Sequence, residues 1–290
     1  FEDHLRNKDD TDKYVLEVSG KVRRIVTGCR FTRIPDLSAS AVESYLASLR
    51  RDGMSSQTSN HYLRAIKQFS RWLVNDGRTG EDVLVRLSML SVDHDRRHDR
   101  RPLSDDEFAR LVKAAISGPM IEAVPGPDRA MVYILTAWTG YRRAELASLT
   151  IRSFKLRSNP PSLTVPASCT KNRKAAEIPL HADVVERFLA WIDEKGEIEA
   201  DSPVFRLKTT GGRWRKTAKM MRLDLEAARA AWLLEAKTED ERASREESDF
   251  LCYRDEDGLY ADFHANRHTF ITNLRRAGVP LTARKKLARH

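Results

Sequence analysis

The stretch "SVDHDRRHDRRP", residues 91–102, most constrains how this chain folds. It has no apolar periodicity, is dense in charge of both signs, and ends in a proline. Such a segment cannot cross a packed core, so it reads as a link between two separately packed parts. A length of 290 residues accommodates two cores, and apolar residues at 41% are enough to fill them. The expected division is residues 1–92 as one domain, 93–103 as linker and 104–290 as a second domain.

The part before the break reads as helical. Residues 10–27 carry Tyr14, Val15, Val18, Val22, Ile25 and Val26 at helical spacing. "SASAVESYLASLRRDG" predicts a short helix capped by Ser38 and stopped at Gly53. In "SSQTSNHYLRAIKQFSRWLVNDG", Tyr62, Ile66, Phe69 and Leu73 form one apolar stripe, and Gly77 marks the stop. Arg64, Lys67 and Arg71 form a separate basic face behind Asn60, which is either a groove contact for duplex DNA or a plainly solvated surface.

After the break, Ser104 and Glu107 have the spacing of a capping box. Helices are expected over 128–139, 144–149, 183–192 and 216–236, and from His264 and Leu281 onward. "SLTVPA" and "KAAEIPL" read as strands joined by the turn "TKNR", and "FLCYRDEDGLYADF" as a second hairpin turning at Asp257-Gly258. "EAKTEDERASREES" reads as an exposed charged stretch. The fold class is therefore mainly α with a small antiparallel sheet.

The charge is lopsided. Residues 1–95 hold 15 Lys and Arg against 14 Asp and Glu, whereas residues 96–290 hold 36 against 28, most of the net +9. A polyanion is the natural partner for such a surface, although solubility alone also accounts for it. Three scattered cysteines form neither a zinc spacing nor a disulfide framework. No apolar run reaches membrane-spanning length.

Four separated stretches then share one theme. "TGYRRAELASL" begins at Thr139, "CTKNRKAAEIPL" at Cys169, "HANRHTF" at His264 and "GVPLTARKKLARH" at Gly278. Singly, each has a bland reading: a basic helix end, an ordinary turn lysine with Lys174 as a rival, a helix start, a terminal histidine. In this order they resemble the boxes of the tyrosine recombinases, the phage-integrase family, over residues 136–290; residues 1–90 resemble that family's helical (SAM-like) DNA core-binding domain more weakly.

The resemblance implies that Arg142, Lys171, His264, Arg267 and His290 are catalytic, with Glu145 supporting the arginines. Two guanidiniums suit the charge that spreads over a phosphodiester in its transition state. Lys171 would protonate the leaving 5′-oxygen. The arginines would stand in place of a metal, and no cofactor is expected. Arg100 and Arg101 in the linker, and Arg213 and Arg215 flanking Trp214, are further candidates for the DNA backbone. The implied activity is strand cleavage and rejoining through a 3′-phosphotyrosine, by a homotetramer on paired duplex sites, in the cytoplasm with the nucleoid. The alternative is a DNA-binding protein of this fold that has lost cleavage. Asn266, Arg289 in place of a usual glycine, and the glycine-free hairpin turn depart from the pattern. None of the tyrosines present sits in the nucleophile's context, so that residue is expected after His290, and the chain as given is expected to bind without cleaving.

Overall fold

The computed structural model describes residues 1–170 and 174–289. It divides between Arg97 and His98 into two compact units.

The first unit holds α1 (Glu2–Arg6), α2 (Asp12–Gly28), α3 (Ala39–Arg51) and α4 (Ser56–Asn75). Thr11, Ser38 and Ser55 cap the last three, each accepting a main-chain N–H three residues on. Ile25, Val42 and Ile66 are fully buried at the centre of its core. Burial of side chains this size is worth roughly 1.5–3 kcal/mol each. On α4, Ile66 and Leu73 are buried and Tyr62 and Phe69 half-buried, so the expected stripe is the packed face. The chain after α4 is tied back to it. Lys67 donates to the carbonyls of Val85 (2.9 Å) and Leu87 (2.5 Å), and Ser70 donates to Asp82 (2.5 Å).

The second unit runs through α5 (Asp105–Ser117), α6 (Gly126–Thr139), α7 (Arg143–Leu146), β1 (Phe154–Lys155), β2 (Ser162–Val165), β3 (Ala176–Pro179), α8 (Ala182–Lys195), α9 (Thr217–Leu234), α10 (Glu239–Glu247), α11 (Ala265–Arg276) and α12 (Leu281–Ala288). The strands form one antiparallel sheet in the order β1-β2-β3, with Leu163 opposite Ile178. The molecule is thus mainly helical with one small antiparallel sheet. Helix α6 is apolar around most of its circumference and lies at the centre of the unit. Its few polar groups are paired: Arg129 forks onto Asp224 (2.7 and 2.8 Å), and Tyr133 donates to the same carboxylate (2.8 Å). Ser104 and Glu107 close the capping box of α5. No helix of the described residues is long and apolar enough to cross a membrane.

Two expectations are corrected, and one charged stretch, exposed as expected, also holds a helix. "FLCYRDEDGLYADF" forms no ladder. One antiparallel bridge, Arg254 to Tyr260, closes the turn at Gly258, because Tyr260 also pairs alongside Arg100 and is shared between two neighbours. The charged stretch from Glu235 contains helix α10, which has no apolar stripe. Thr238 caps it, its first turn is acidic, and Glu241–Arg245 (2.6 Å) and Arg242–Glu246 (3.1 Å) are paired one turn apart. The helix expected over 144–149 is only Arg143–Leu146.

Candidate active site

Helix α6 ends at Gly140, in a left-handed conformation with φ 62°. A Cβ there would lie 2.5 Å from the Phe270 ring, so the first and third boxes meet at a position only glycine fits. The turn that follows points Tyr141 inward. Its hydroxyl donates to the carbonyls of Leu163 (2.7 Å) and Ala176 (3.3 Å), and burial pushes its pKa up.

Arg142 is the N-cap of α7, and Glu145 sits one turn later, 1% exposed. Its carboxylate accepts the Arg142 main-chain N–H (2.8 Å) and Nη1 (3.0 Å). The Arg142 side chain is 26% exposed, so its remaining donors reach the surface. Arg267 arrives from α11, 127 residues beyond Gly140, and donates Nη1 to the Gly140 carbonyl. Its Nη2 donates to the Ala288 carbonyl at the end of α12. Two of the five guanidinium N–H groups are thus engaged by backbone, and the rest remain available. Burial, then repulsion from Arg142 and Arg289, lowers the Arg267 pKa to about 10, with Glu145 opposing. Arg267 is still charged at neutral pH.

His264 begins α11, with part of its side chain in solvent and part packed against the fold. Its main-chain N–H is held by Asp262 Oδ1 (2.9 Å), and Asp262 is in turn gripped by Arg100 Nε (2.8 Å) and His98 Nε2 (3.0 Å). Loss of hydration, followed by the nearby Arg100 charge, pushes the His264 pKa below its ordinary value, with Asp262 opposing. Burial works against the Asp262 carboxylate, but Arg100 and His98 outweigh it and hold its pKa down. Asn266, an apolar position in the boxes this stretch resembles, is fully buried and donates to Met221 Sδ (3.5 Å). Lys171 and His290 lie outside the described residues. Lys174 is exposed. Among the described residues no cluster of His, Cys, Asp and Glu is arranged to hold a metal ion.

The expected DNA contacts separate into two groups. Arg64, Arg71 and Arg213 are exposed. The others have work inside the fold. Asn60 is buried and clasps the Leu90 main chain with both ends of its amide (2.8 and 2.9 Å), and Lys67 caps two carbonyls. Arg101 forks onto Glu107 (2.7 and 3.0 Å), Arg100 holds Asp262, and Arg215 donates to the Glu122 carbonyl. Each of these five also bonds within its own unit. Trp214 lies between Arg143 (4.5 Å) and Lys208 (4.6 Å), a basic-aromatic cluster only half visible as "RWR" in the sequence. Arg289, noted in the sequence only as a departure, is a second guanidinium on Glu145 (3.1 Å).

The model of the phage integrase family matches residues 101–290. The tyrosine recombinase XerC of Azotobacter vinelandii is 25% identical over 228 residues, 77% of this chain and 72% of that protein. The tyrosine recombinase XerD of Rhizobium meliloti is 28% identical over 182 residues, 60% of this chain and 54% of that one. Lambda integrase residues 75–356, solved as a dimer bound to a core site, superimposes with a TM-score of 0.66 at 16% identity, covering 100% of this chain and 92% of that one. The Tn1549 transposon integrase, solved with transposon right end DNA, gives 0.67 at 15%, covering 99% and 89%. Those two likenesses establish a shared fold. The family match takes in most of the chain, including both arginine boxes and the glycine at which they meet, and so the chain belongs to the phage integrase family, the tyrosine recombinases.

Proposed function

We propose that this protein cleaves and rejoins duplex DNA at specific sites through a 3′-phosphotyrosine. The observation that carries the reading is that Arg142 and Arg267 are tethered close together, Arg142 on the buried Glu145 carboxylate and Arg267 on the carbonyl at the end of α6. Two guanidiniums held in advance by backbone carbonyls and Glu145 need little rearrangement to receive a phosphodiester. A tyrosine oxygen attacks phosphorus, the bond to the 5′-oxygen breaks, and that oxygen leaves with a proton supplied by Lys171. His264 and His290 hold a non-bridging oxygen or accept the phenol's proton. Rejoining runs the same step backwards, so no nucleotide cofactor is consumed.

The attacking tyrosine is proposed to lie outside residues 1–290. Tyr141, the one beside Arg142, turns its hydroxyl into the sheet, and Tyr253 and Tyr260 pack against one another. The first unit, residues 1–92 with the exposed Arg64 and Arg71, is proposed as the core-binding domain. Residues 104–290 are proposed as the catalytic domain, with 93–103 joining the two. Lambda integrase is solved as a dimer on a core site and as a tetramer on a Holliday junction, which supports assembly of four protomers on paired sites, with the protein in the cytoplasm alongside DNA.

The test has two parts. Duplex affinity is measured against salt concentration, and a linear fall on a log–log plot is expected, since phosphate contacts release counterions. Nicked suicide duplexes are then offered to residues 1–290 and to the intact gene product. A denaturant-resistant protein–DNA band is expected from the second alone. Binding without a band from either would favour a protein that has lost cleavage.

A further inference from the structure

Arg289 follows α12 with φ 55° and ψ 47°, a left-handed conformation that glycine adopts freely and arginine does not. Its side chain is also only 7% exposed, an unfavourable place for a long cation. Two penalties at one residue ask what the guanidinium does there. Nη2 donates to the Gly140 carbonyl (2.8 Å) and to Glu145 Oε2 (3.1 Å), and Nη1 donates to the carbonyls of Thr139 (3.3 Å) and Leu287 (3.2 Å). Its flat face lies 4.4 Å from the Tyr141 ring.

These partners are shared with both box arginines. The Glu145 carboxylate serves Arg142 and Arg289, and the Gly140 carbonyl serves Arg267 and Arg289. Arg267 also holds the Ala288 carbonyl, one peptide before Arg289. Arg142, Glu145, Arg289, Gly140 and Arg267 are therefore linked in one chain of hydrogen bonds, and the peptide from Ala288 to Arg289 closes it into a ring.

We infer that Arg289 is a positioning residue for the phosphate-binding arginines. It holds Glu145 against Arg142, and it holds the end of α12 against Arg267, so that both guanidiniums keep their free donors on one phosphate. The inference rests on the proposed function. Burial, followed by the Glu145 and Tyr141 contacts that oppose it, sets the Arg289 pKa below its ordinary value, which fits a cation placed for its geometry rather than for solvent contact.

The experiment compares wild type, Arg289→Gly and Arg289→Lys in the intact gene product. The duplex carries a site selected by the wild-type protein from a randomised library. One version has a natural scissile phosphodiester, and the other a methylphosphonate, in which a methyl group replaces a charged oxygen. Arg289→Gly removes the guanidinium and relieves the left-handed strain, so thermal melting close to wild type is expected, with duplex affinity within about 3-fold. Cleavage of the phosphodiester should fall by about 10-fold or more, whereas cleavage of the methylphosphonate should fall by less than about 3-fold, because less charge needs stabilising there. A purely structural staple would slow both substrates alike. Arg289→Lys supplies charge without the fork and should fall between wild type and glycine with the same substrate split. It carries the test if the glycine variant fails to melt cooperatively. Unchanged phosphodiester cleavage, or equal losses on both substrates, overturns the inference alone. A wild-type protein that neither binds nor cleaves duplex refutes the underlying reading of the site.

Discussion

Glu145 accepts from Arg142 through both a side chain and a main chain, so its loss removes a fixed anchor rather than a charge from solvent. Arg142→Ala or Arg267→Ala should each lower cleavage on the order of 10²-fold, as the loss of a transition-state donor does, with duplex affinity much less affected. Single-turnover cleavage and equilibrium binding on the same duplex separate the two effects. Lys171 and Lys174 are three residues apart in the sequence. A substrate with sulfur for the 5′-bridging oxygen should rescue Lys171→Ala, since a thiolate leaves without a proton. Rescue of Lys174→Ala instead would exchange their roles. The histidines set a pH dependence of stability. The pKa of His268, like that of His264, is pushed below the ordinary 6.5, burial being the main cause. Such a group binds its proton more readily in the unfolded chain, so its contribution is complete above about pH 6.5 and is lost as pH falls toward the folded value. Thermal melting should therefore decline from pH 7 to pH 5, and His268→Gln should flatten that decline.

Among the elements, the end of α6 is the piece on which the site depends. Gly140→Ala would force a side chain into the Phe270 ring at a left-handed position and shift the carbonyl that Arg267 and Arg289 share. A loss of about 2 kcal/mol or more is expected, read as a lower melting temperature, together with a cleavage defect. Normal melting and normal cleavage in this variant would contradict the account of the helix end. What sequence reasoning captured at this scale follows from local physics. Ser38, Gly53, Gly77 and the Ser104–Glu107 box announce helix boundaries through short-range hydrogen bonds that their residue types advertise. Helix α10 escaped because capping and charge pairs, not an apolar stripe, support it. Strand β1, two residues long, leaves no periodicity to detect. The internal bonds of Asn60, Lys67 and Arg101 were not legible, for the opposite reason. Polar side chains that clasp distant backbone look the same in sequence as those that face a groove, because their partners, Leu90, Val85 and Cys252, are remote along the chain.

At the scale of the molecule, each unit carries its own core, and the net positive charge lies mostly after residue 95. The box arginines were legible because their spacing is local to each box, whereas the closure of those boxes into one ring was not, since it depends on carbonyls that any residue type supplies. That ring has a further consequence. Three guanidiniums lie near a single carboxylate that bonds only two of them, and the carbonyls that hold them bring partial charge only. The ring is therefore short of anions until something supplies one. In the absence of nucleic acid, tetrahedral oxyanions of the buffer should take that role, and whatever binds only the folded chain stabilises it by mass action. Sulfate should raise the melting temperature above that in chloride at equal ionic strength, by about 2–4 °C per kcal/mol of binding in a unit this large. Arg267→Ala should shrink the difference, and equal melting in the two salts would show that the ring is already electrically satisfied. Purification in phosphate or sulfate would then deliver a protein whose site is already filled, and its duplex affinity would be understated by the competition.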